Sequence, residues 1–111
     1  MKDGKILYRY TIKGDKFFIH EGVVNHTGFR PLVNFKDGGA ALRCPREEDL
    51  GKIKSVGRSL WLEERDDDKA RAMFIEYELD KIDQLKDQID RKYRTIEMLR
   101  DGMEEYEDVF K

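Results

Sequence analysis

Residues 66–102 read DDDKARAMFIEYELDKIDQLKDQIDRKYRTIEMLRDG, and this stretch decides the fold. Asp66, Asp67 and Asp68 supply cap candidates and place negative charge where the free N–H groups of a helix start favour it. No Gly or Pro interrupts before Gly102, and Asp101-Gly102 suits a C-terminal stop. The expectation is one helix over 66–100, about 35 residues and roughly 50 Å long at ~1.5 Å per residue. Ile75, Ile82, Ile89, Ile96, Met103 and Phe110 recur at every seventh position. Leu85, Leu99 and Tyr106 fill complementary d positions, which Glu78 and Lys92 interrupt, while Leu79 and Tyr93 widen the stripe. A repeat of seven keeps an apolar seam facing one partner helix, so the helix is expected to self-associate.

The start of this helix is apolar on more than one side. Ala70, Ala72, Met73, Phe74, Ile75, Tyr77 and Leu79 surround it almost completely at 100° per residue. Such a segment needs two covers, the rest of its own domain and another subunit. Beyond residue 80 the stripe narrows to one side. The extension 101–111 carries Met103, Tyr106 and Phe110, a spacing that argues for packing over a free tail.

Working back toward the N-terminus, the period changes from helical to alternating. In Lys5–Lys13, Ile6, Tyr8, Tyr10 and Ile12 point one way and Arg9, Thr11 and Lys13 the other, with Leu7 as the exception. Gly14-Asp15 is a two-residue hairpin turn, after which Lys16–His20 returns. Glu21-Gly22 reads as a second break before Val23 and Val24, and Thr27-Gly28 as a third. Phe29–Phe35 is strand-like, with Pro31 marking an edge or a bulge. Asp37-Gly38-Gly39 turns the chain into Ala40–Cys44. Glu47–Ile53 suggests one short helical turn, and Ser59–Leu62 a last strand. The fold class is therefore α+β: an N-terminal antiparallel sheet or small barrel of about five or six strands over 1–65, then the long helix. A single domain over 1–111 is expected.

Composition narrows the function classes. Charged residues make up 41% and hydrophobic ones 39%, enough for a thin core of the kind that oligomerisation often completes. The net charge of −2 is unevenly placed: 13 Lys/Arg face 9 Asp/Glu in residues 1–65, and 9 face 15 in residues 66–111. The strand half can attract an anion, while the helix half repels nucleic acid. No apolar run is long enough to span a bilayer, and the N-terminus leads into a strand pattern, not a signal-peptide core. With one cysteine, Cys44, no internal disulfide forms, and a cytoplasmic location is the simplest reading.

No catalytic motif emerges. His20 and His26 match no standard metal spacing. Cys44 lies among Arg43 and Arg46, whose charge would favour a thiolate, but a small strand residue is the plainer reading. The runs Glu47–Asp49, Glu63-Glu64 and Asp66–Asp68 are neighbours along the chain, not carboxylates facing across a cleft. Gly38-Gly39 and Gly51-Lys52 lack the spacing of a phosphate loop. The suggestive group is basic and aromatic: Arg30, Arg43, Arg46, Lys52, Lys54 and Arg58, interleaved with Phe29, Phe35 and Trp61. Arginine forks grip phosphate and aromatic faces stack on bases. A solvated sheet face balancing the acidic helix explains the same residues. If they form a pocket, Phe74 and Tyr77 at the helix start are its natural wall, and a subunit interface its natural place.

The stretch Trp61-Leu62-Glu63-Glu64-Arg65-Asp66-Asp67-Asp68-Lys69-Ala70, followed by Met73-Phe74-Ile75-Glu76-Tyr77, resembles small proteins encoded in phages and prophages of low-GC bacteria. The layout is similar to that of the Thoeris anti-defence proteins, oligomeric sponges that sequester cyclic ADP-ribose-type immune signals without cleaving them. The resemblance covers architecture over most of the chain and rests on no diagnostic motif. It implies arginines from the sheet and an aromatic from the helix as ligand contacts, roles that Arg30, Arg43, Arg58 and Phe74 would take here. The expected function is thus a non-enzymatic homo-oligomer of phage origin, a dimer or higher. It would hold a cyclic nucleotide or ADP-ribose-type signal through Arg30, Arg43, Arg58, Trp61, Phe74 and Tyr77, with no metal and no cofactor. Two alternatives stand beside it. One is an inhibitor or adaptor whose acidic helix docks on a basic protein. The other is a structural coiled coil without ligand.

Overall fold

A computed structural model describes residues 1–26, 28–55 and 58–101. The chain divides into two compact units, Met1–Phe74 and Ile75–Lys111. In the first unit six strands form one antiparallel, curled sheet: β1 (Ile6–Lys13), β2 (Lys16–Asn25), β3 (Leu32–Phe35), β4 (Leu42–Arg43), β5 (Ile53–Lys54) and β6 (Ser59–Leu62). Their order across the sheet is β4-β3-β2-β1-β6-β5. Helix α1 spans Asp67–Asp101, one residue displaced from the sequence expectation, and a single 3₁₀ turn over Glu47–Asp49 takes the place of the short helical turn.

The Gly14-Asp15 turn sets the register of β1 on β2, pairing Lys13 with Lys16, Thr11 with Phe18 and Arg9 with His20. The expected break at Glu21-Gly22 does not occur, because β2 runs unbroken to Asn25. Gly22 is there for closeness, not for a turn. It pairs with Leu7 on one side and Phe35 on the other, and a Cβ at this position would overlap Val33 Cγ1 and stand 3.3 Å from the Asn34 carbonyl oxygen. Two other expected strands shrink. The stretch after Phe29 pairs only from Leu32, and Ala40–Cys44 contributes just Leu42 and Arg43.

Leu7 is no exception to the alternation, because both faces of the sheet carry apolar clusters. On one face Tyr10, Leu60 and Leu62 pack with Ala70 and Phe74 of α1, flanked by Ile12, Phe17 and Met73. On the other, Leu7, Val24, Val33 and Trp61 gather with Phe35, Leu42 and Leu50. The second face is the concave one. Phe35 and Trp61 stand on strands separated by two others, roughly 14 Å apart in a flat sheet at ~4.8 Å per strand. Their rings nonetheless stack at 6.0 Å.

The start of α1 is fastened to β1. Asp66 caps the helix by accepting the Lys69 N–H at 3.0 Å on its side chain. Tyr10 reaches the same turn, where its hydroxyl donates to Asp67 Oδ1 at 2.9 Å and accepts the Asp66 N–H at 3.0 Å. Arg65 grips both Asp67 oxygens at 3.2 Å and, with Tyr10, holds that carboxyl below the usual carboxylate range. Hydrogen bonding to Asp67 and burial in turn push the Tyr10 hydroxyl up, burial most of all.

In the second unit α1 continues from Ile75, and residues 81–100 are exposed throughout. Of the apolar ring expected over 70–79, Ala70 and Phe74 are buried in the first unit, while Ile75 is 61% and Leu79 56% exposed. Among the described residues no helix is long and apolar enough to cross a membrane. Gly102, Met103, Tyr106 and Phe110 lie outside the described residues, as does Thr27.

Candidate functional site: a basic, aromatic cavity on the concave face

The concave face opens at its β1–β2 end into a cavity of about 220 Å³ lined by Arg9, Lys13, His20, Phe35, Asp37 and Leu42, with Gly39 and Ala40 at the rim. Strand alternation explains the lining. Arg9, Thr11 and Lys13 share one side of β1, and the hairpin register sets His20 directly across from Arg9. Phe35 at the end of β3 and Leu42 on β4 close the far wall because the sheet curls.

The Arg9 guanidinium lies over the Trp61 ring, 5.9 Å from its centroid. Arg9 also pairs with Trp61 in the β1–β6 ladder, so the stack joins neighbouring strands. It makes no ion pair with a carboxylate among the described residues. Burial draws its pKa below the ordinary arginine value, yet the group stays charged at neutral pH. A row of rings continues from this point. Phe35 stacks on Trp61, His20 meets Phe35 edge-on at 5.9 Å, and Phe18 stacks on His20 at 6.3 Å. His20 Nδ1 and Asp37 Oδ2 stand 2.5 Å apart. Asp37 also accepts the Gly39 N–H at 3.0 Å, and these partners, Gly39 foremost, hold its carboxyl below the usual range. The cavity therefore presents two basic side chains, Arg9 and Lys13, with a carboxylate already occupied by His20 and Gly39. Beside Arg9 and Lys13, the hydroxyl of buried Thr11 has no hydrogen-bond partner among the described residues.

The sequence-derived site residues scatter. Trp61 belongs to the concave cluster and Phe74 to the opposite face, where its ring meets Phe17 edge-on at 5.8 Å. Within one chain the two lie on opposite faces of the sheet. Arg43 follows Leu42, so alternation sends it to the other side of β4 from the cavity, and it is exposed. Arg30 lies exposed in the bend before Pro31. Arg58 sits at φ 43° ahead of β6 and is half-buried. None of these three arginines lines the cavity. Tyr77, in the second unit, has Lys81 over its ring at 5.4 Å.

The arginine that lines the cavity, Arg9, was legible in another way. The Gly14-Asp15 turn fixes the pairing of Arg9 with His20, so a basic strip on one side of the hairpin follows from turn chemistry alone. What the sequence hides is the curl that folds Phe35 and Trp61 over that strip.

Two further depressions exist near the start of α1. One of about 310 Å³ is lined by Glu63, Glu64, Asp66 and Lys69, and a more open one of about 460 Å³ by Asp66, Asp67 and Asp68 with Arg65 and Arg71. Both are dominated by carboxylates and disfavour an anion. Cys44 packs beside the concave cluster, and burial pushes its thiol up, away from the reactive thiolate that Arg43 and Arg46 suggested. His26 donates to the Met1 carbonyl and is remote in role from His20. Among the described residues no group of three or more His, Cys, Asp or Glu could hold a metal ion. No family model matches the chain, and no curated protein or solved structure matches it either.

Proposed function

We propose that the chain is a non-enzymatic binding protein that captures a small phosphate-bearing, nucleotide-derived ligand on the concave face of its sheet, and that copies assemble through α1. Arg9 carries the reading: a half-buried guanidinium, stacked on Trp61, without a carboxylate partner among the described residues, lining a cavity that also holds Lys13 and His20. Desolvating an arginine and leaving it without a counter-charge is unfavourable. An anion restores the balance, and a guanidinium fork matches phosphate in bidentate fashion. The adjacent ring row offers stacking area to a base.

Binding without chemistry is favoured by the lining itself. His20 and Asp37 form an oriented pair of the kind that activates a nucleophile, but none of the described residues lining the cavity carries a hydroxyl or a thiol, and the neighbouring Thr11 hydroxyl is buried. At about 220 Å³ the cavity is smaller than the roughly 300–1,000 Å³ of sites that enclose drug-sized ligands. It suits a terminal phosphate or a ribose phosphate, with the rest of a nucleotide lying along the rings. A sponge for an immune signal, as in the anti-defence proteins that the layout resembles, is the specific biological role we propose for such a module.

The experiment is a thermal-melt series with inorganic phosphate, mononucleotides, cyclic nucleotides and ADP-ribose derivatives, run on the wild type and on Arg9→Ala. A ligand at a hundredfold its Kd stabilises by about 2.7 kcal/mol, several degrees for a chain of this length. The expected result is a shift with at least one nucleotide that Arg9→Ala removes. No shift from any compound refutes the reading.

A further inference from the structure

From Ile75 onward, α1 holds an apolar row that is open to solvent. Ile75, Ile82, Ile89 and Ile96 at the a positions and Leu85 and Leu99 at the d positions are 40–61% exposed. Two other d positions carry charge, Glu78 and Lys92, and the flanks of the row carry Lys81 at a g position and Lys86 at an e position. These four residues decide the direction in which a second helix can lie.

In a parallel, in-register pair each d residue faces its own copy, and each g residue reaches the e residue five places on in the other helix. Glu78 would meet Glu78, Lys92 would meet Lys92, and Lys81 would meet Lys86 along both edges. Like charges brought together across a seam oppose association, more strongly as they are desolvated. An antiparallel pair sets a residues against d residues instead. With the two-fold axis at Asp87, Ile75 stands opposite Leu99 of the second copy, Ile82 opposite Lys92, Leu85 opposite Ile89, and Glu78 opposite Ile96. Each charged d residue then faces an isoleucine, over which a lysine stem can lie while its ammonium reaches water or a nearby carboxylate. On the flank Leu79 meets Tyr93, both exposed in the single chain. The one like pair that remains is Lys86 with its own copy beside the axis.

The charge of the helix is antisymmetric about the same point. Residues 74–86 carry four carboxylates and two lysines, a net of −2, while residues 88–100 carry two carboxylates and four basic groups, a net of +2. Antiparallel packing lays the acidic half of one copy along the basic half of the other, and parallel packing lays like on like. Packed helix axes lie about 8–10 Å apart, comparable to the Debye length of ~8 Å at physiological salt. The complementarity therefore acts at short range and strengthens as salt falls.

We infer that α1 from Ile75 to Leu99 pairs antiparallel with the same segment of a second copy, centred on Asp87. This rests on the self-association proposed above and specifies its geometry. The test uses the full chain as Cys44→Ser/Arg100→Cys with a nitroxide on the single thiol, measured by pulsed dipolar spectroscopy alongside light scattering. Antiparallel pairing sets Arg100 level with Phe74 of the second copy, so the labels stand about 40 Å apart along the axis. A parallel pair holds them within about 20 Å, one helix diameter plus the labels. An assembly with the long distance supports the inference. An assembly with only the short distance overturns the direction while leaving self-association intact, and a monomer overturns both. A second readout needs no label. Lys92→Glu is expected to raise the dimer dissociation constant at least tenfold, and adding Glu78→Lys to restore it, since antiparallel pairing sets position 92 of one copy about a helical turn from position 78 of the other. In a parallel pair Lys92→Glu exchanges one like pair for another and leaves the constant unchanged, a result that also counts against the inference.

Discussion

The two faces of the sheet are covered in different ways. On one face Tyr10, Phe17, Leu60 and Phe74 close into a packed cluster, with the first turns of α1 as the lid and Tyr10 as the pin that holds the lid down. On the concave face Leu7, Val24, Val33 and Trp61 fill the middle, but the β1–β2 end stays open and its last cover is an arginine. The first face has spent its side chains on stability. The second leaves a charge and a row of rings beside an open cavity, and it is there that we propose a ligand sits.

That contrast can be broken first at its closed side. Phe74→Ala removes a ring that is 3% exposed and should cost about 3–5 kcal/mol in denaturant unfolding, a large part of the 5–15 kcal/mol available to a small domain. Gly22→Ala comes next. Its methyl group would press on Val33 and the Asn34 carbonyl, with an expected cost of about 1–3 kcal/mol. A midpoint unchanged in Gly22→Ala would show that β3 is not packed as closely as described.

Tyr10→Phe keeps the ring and removes the two hydrogen bonds that fasten α1, for an expected loss of about 1–2 kcal/mol. Acid should act on the same joint. Arg65 and Tyr10 hold Asp67 below its ordinary value, Lys36 holds Glu21 down, and Lys54 holds Asp49 down. Carboxylates depressed in the folded state contribute stability that is complete above their ordinary pKa of about 4 and is lost as pH falls through the lower folded values. The unfolding midpoint should be flat from neutral pH to about pH 5 and fall below about pH 4, with a shallower fall in Asp67→Asn. The smallest effect belongs to the open face. Arg9→Ala should change stability by no more than about 0.5 kcal/mol, because losing the stack on Trp61 is offset by removing an uncompensated charge.

Much of this fold was legible because local signals agreed. The aspartates before Lys69, the absence of Gly and Pro to residue 101 and the heptad spacing all named the same helix, and it is found over Asp67–Asp101. The Gly14-Asp15 turn named the first hairpin with its register. Gly22 misled, because a glycine that permits close strand packing and a glycine that permits a turn look identical in one sequence. The site was less legible than the fold. Arg30, Arg43 and Arg58 are near one another along the chain, but clustering along a strand-rich chain says little about clustering in space. The residues that do converge, Arg9, His20, Phe35 and Trp61, are spread over four strands and meet only because the sheet curls. Curl is a tertiary property, and no window of the sequence contains it.

Trp61 is the sole tryptophan, and it lies beneath Arg9 at the edge of the cavity, so it reports directly on the central claim. The decisive measurement is a tryptophan-emission titration with mononucleotides and ADP-ribose derivatives, on the wild type and on Arg9→Ala. A phosphate drawing Arg9 away from the indole should change the emission saturably in the wild type and leave the variant flat. Emission that is unaltered across the series, or that responds equally in both proteins, would contradict the assignment of the concave face as the binding site.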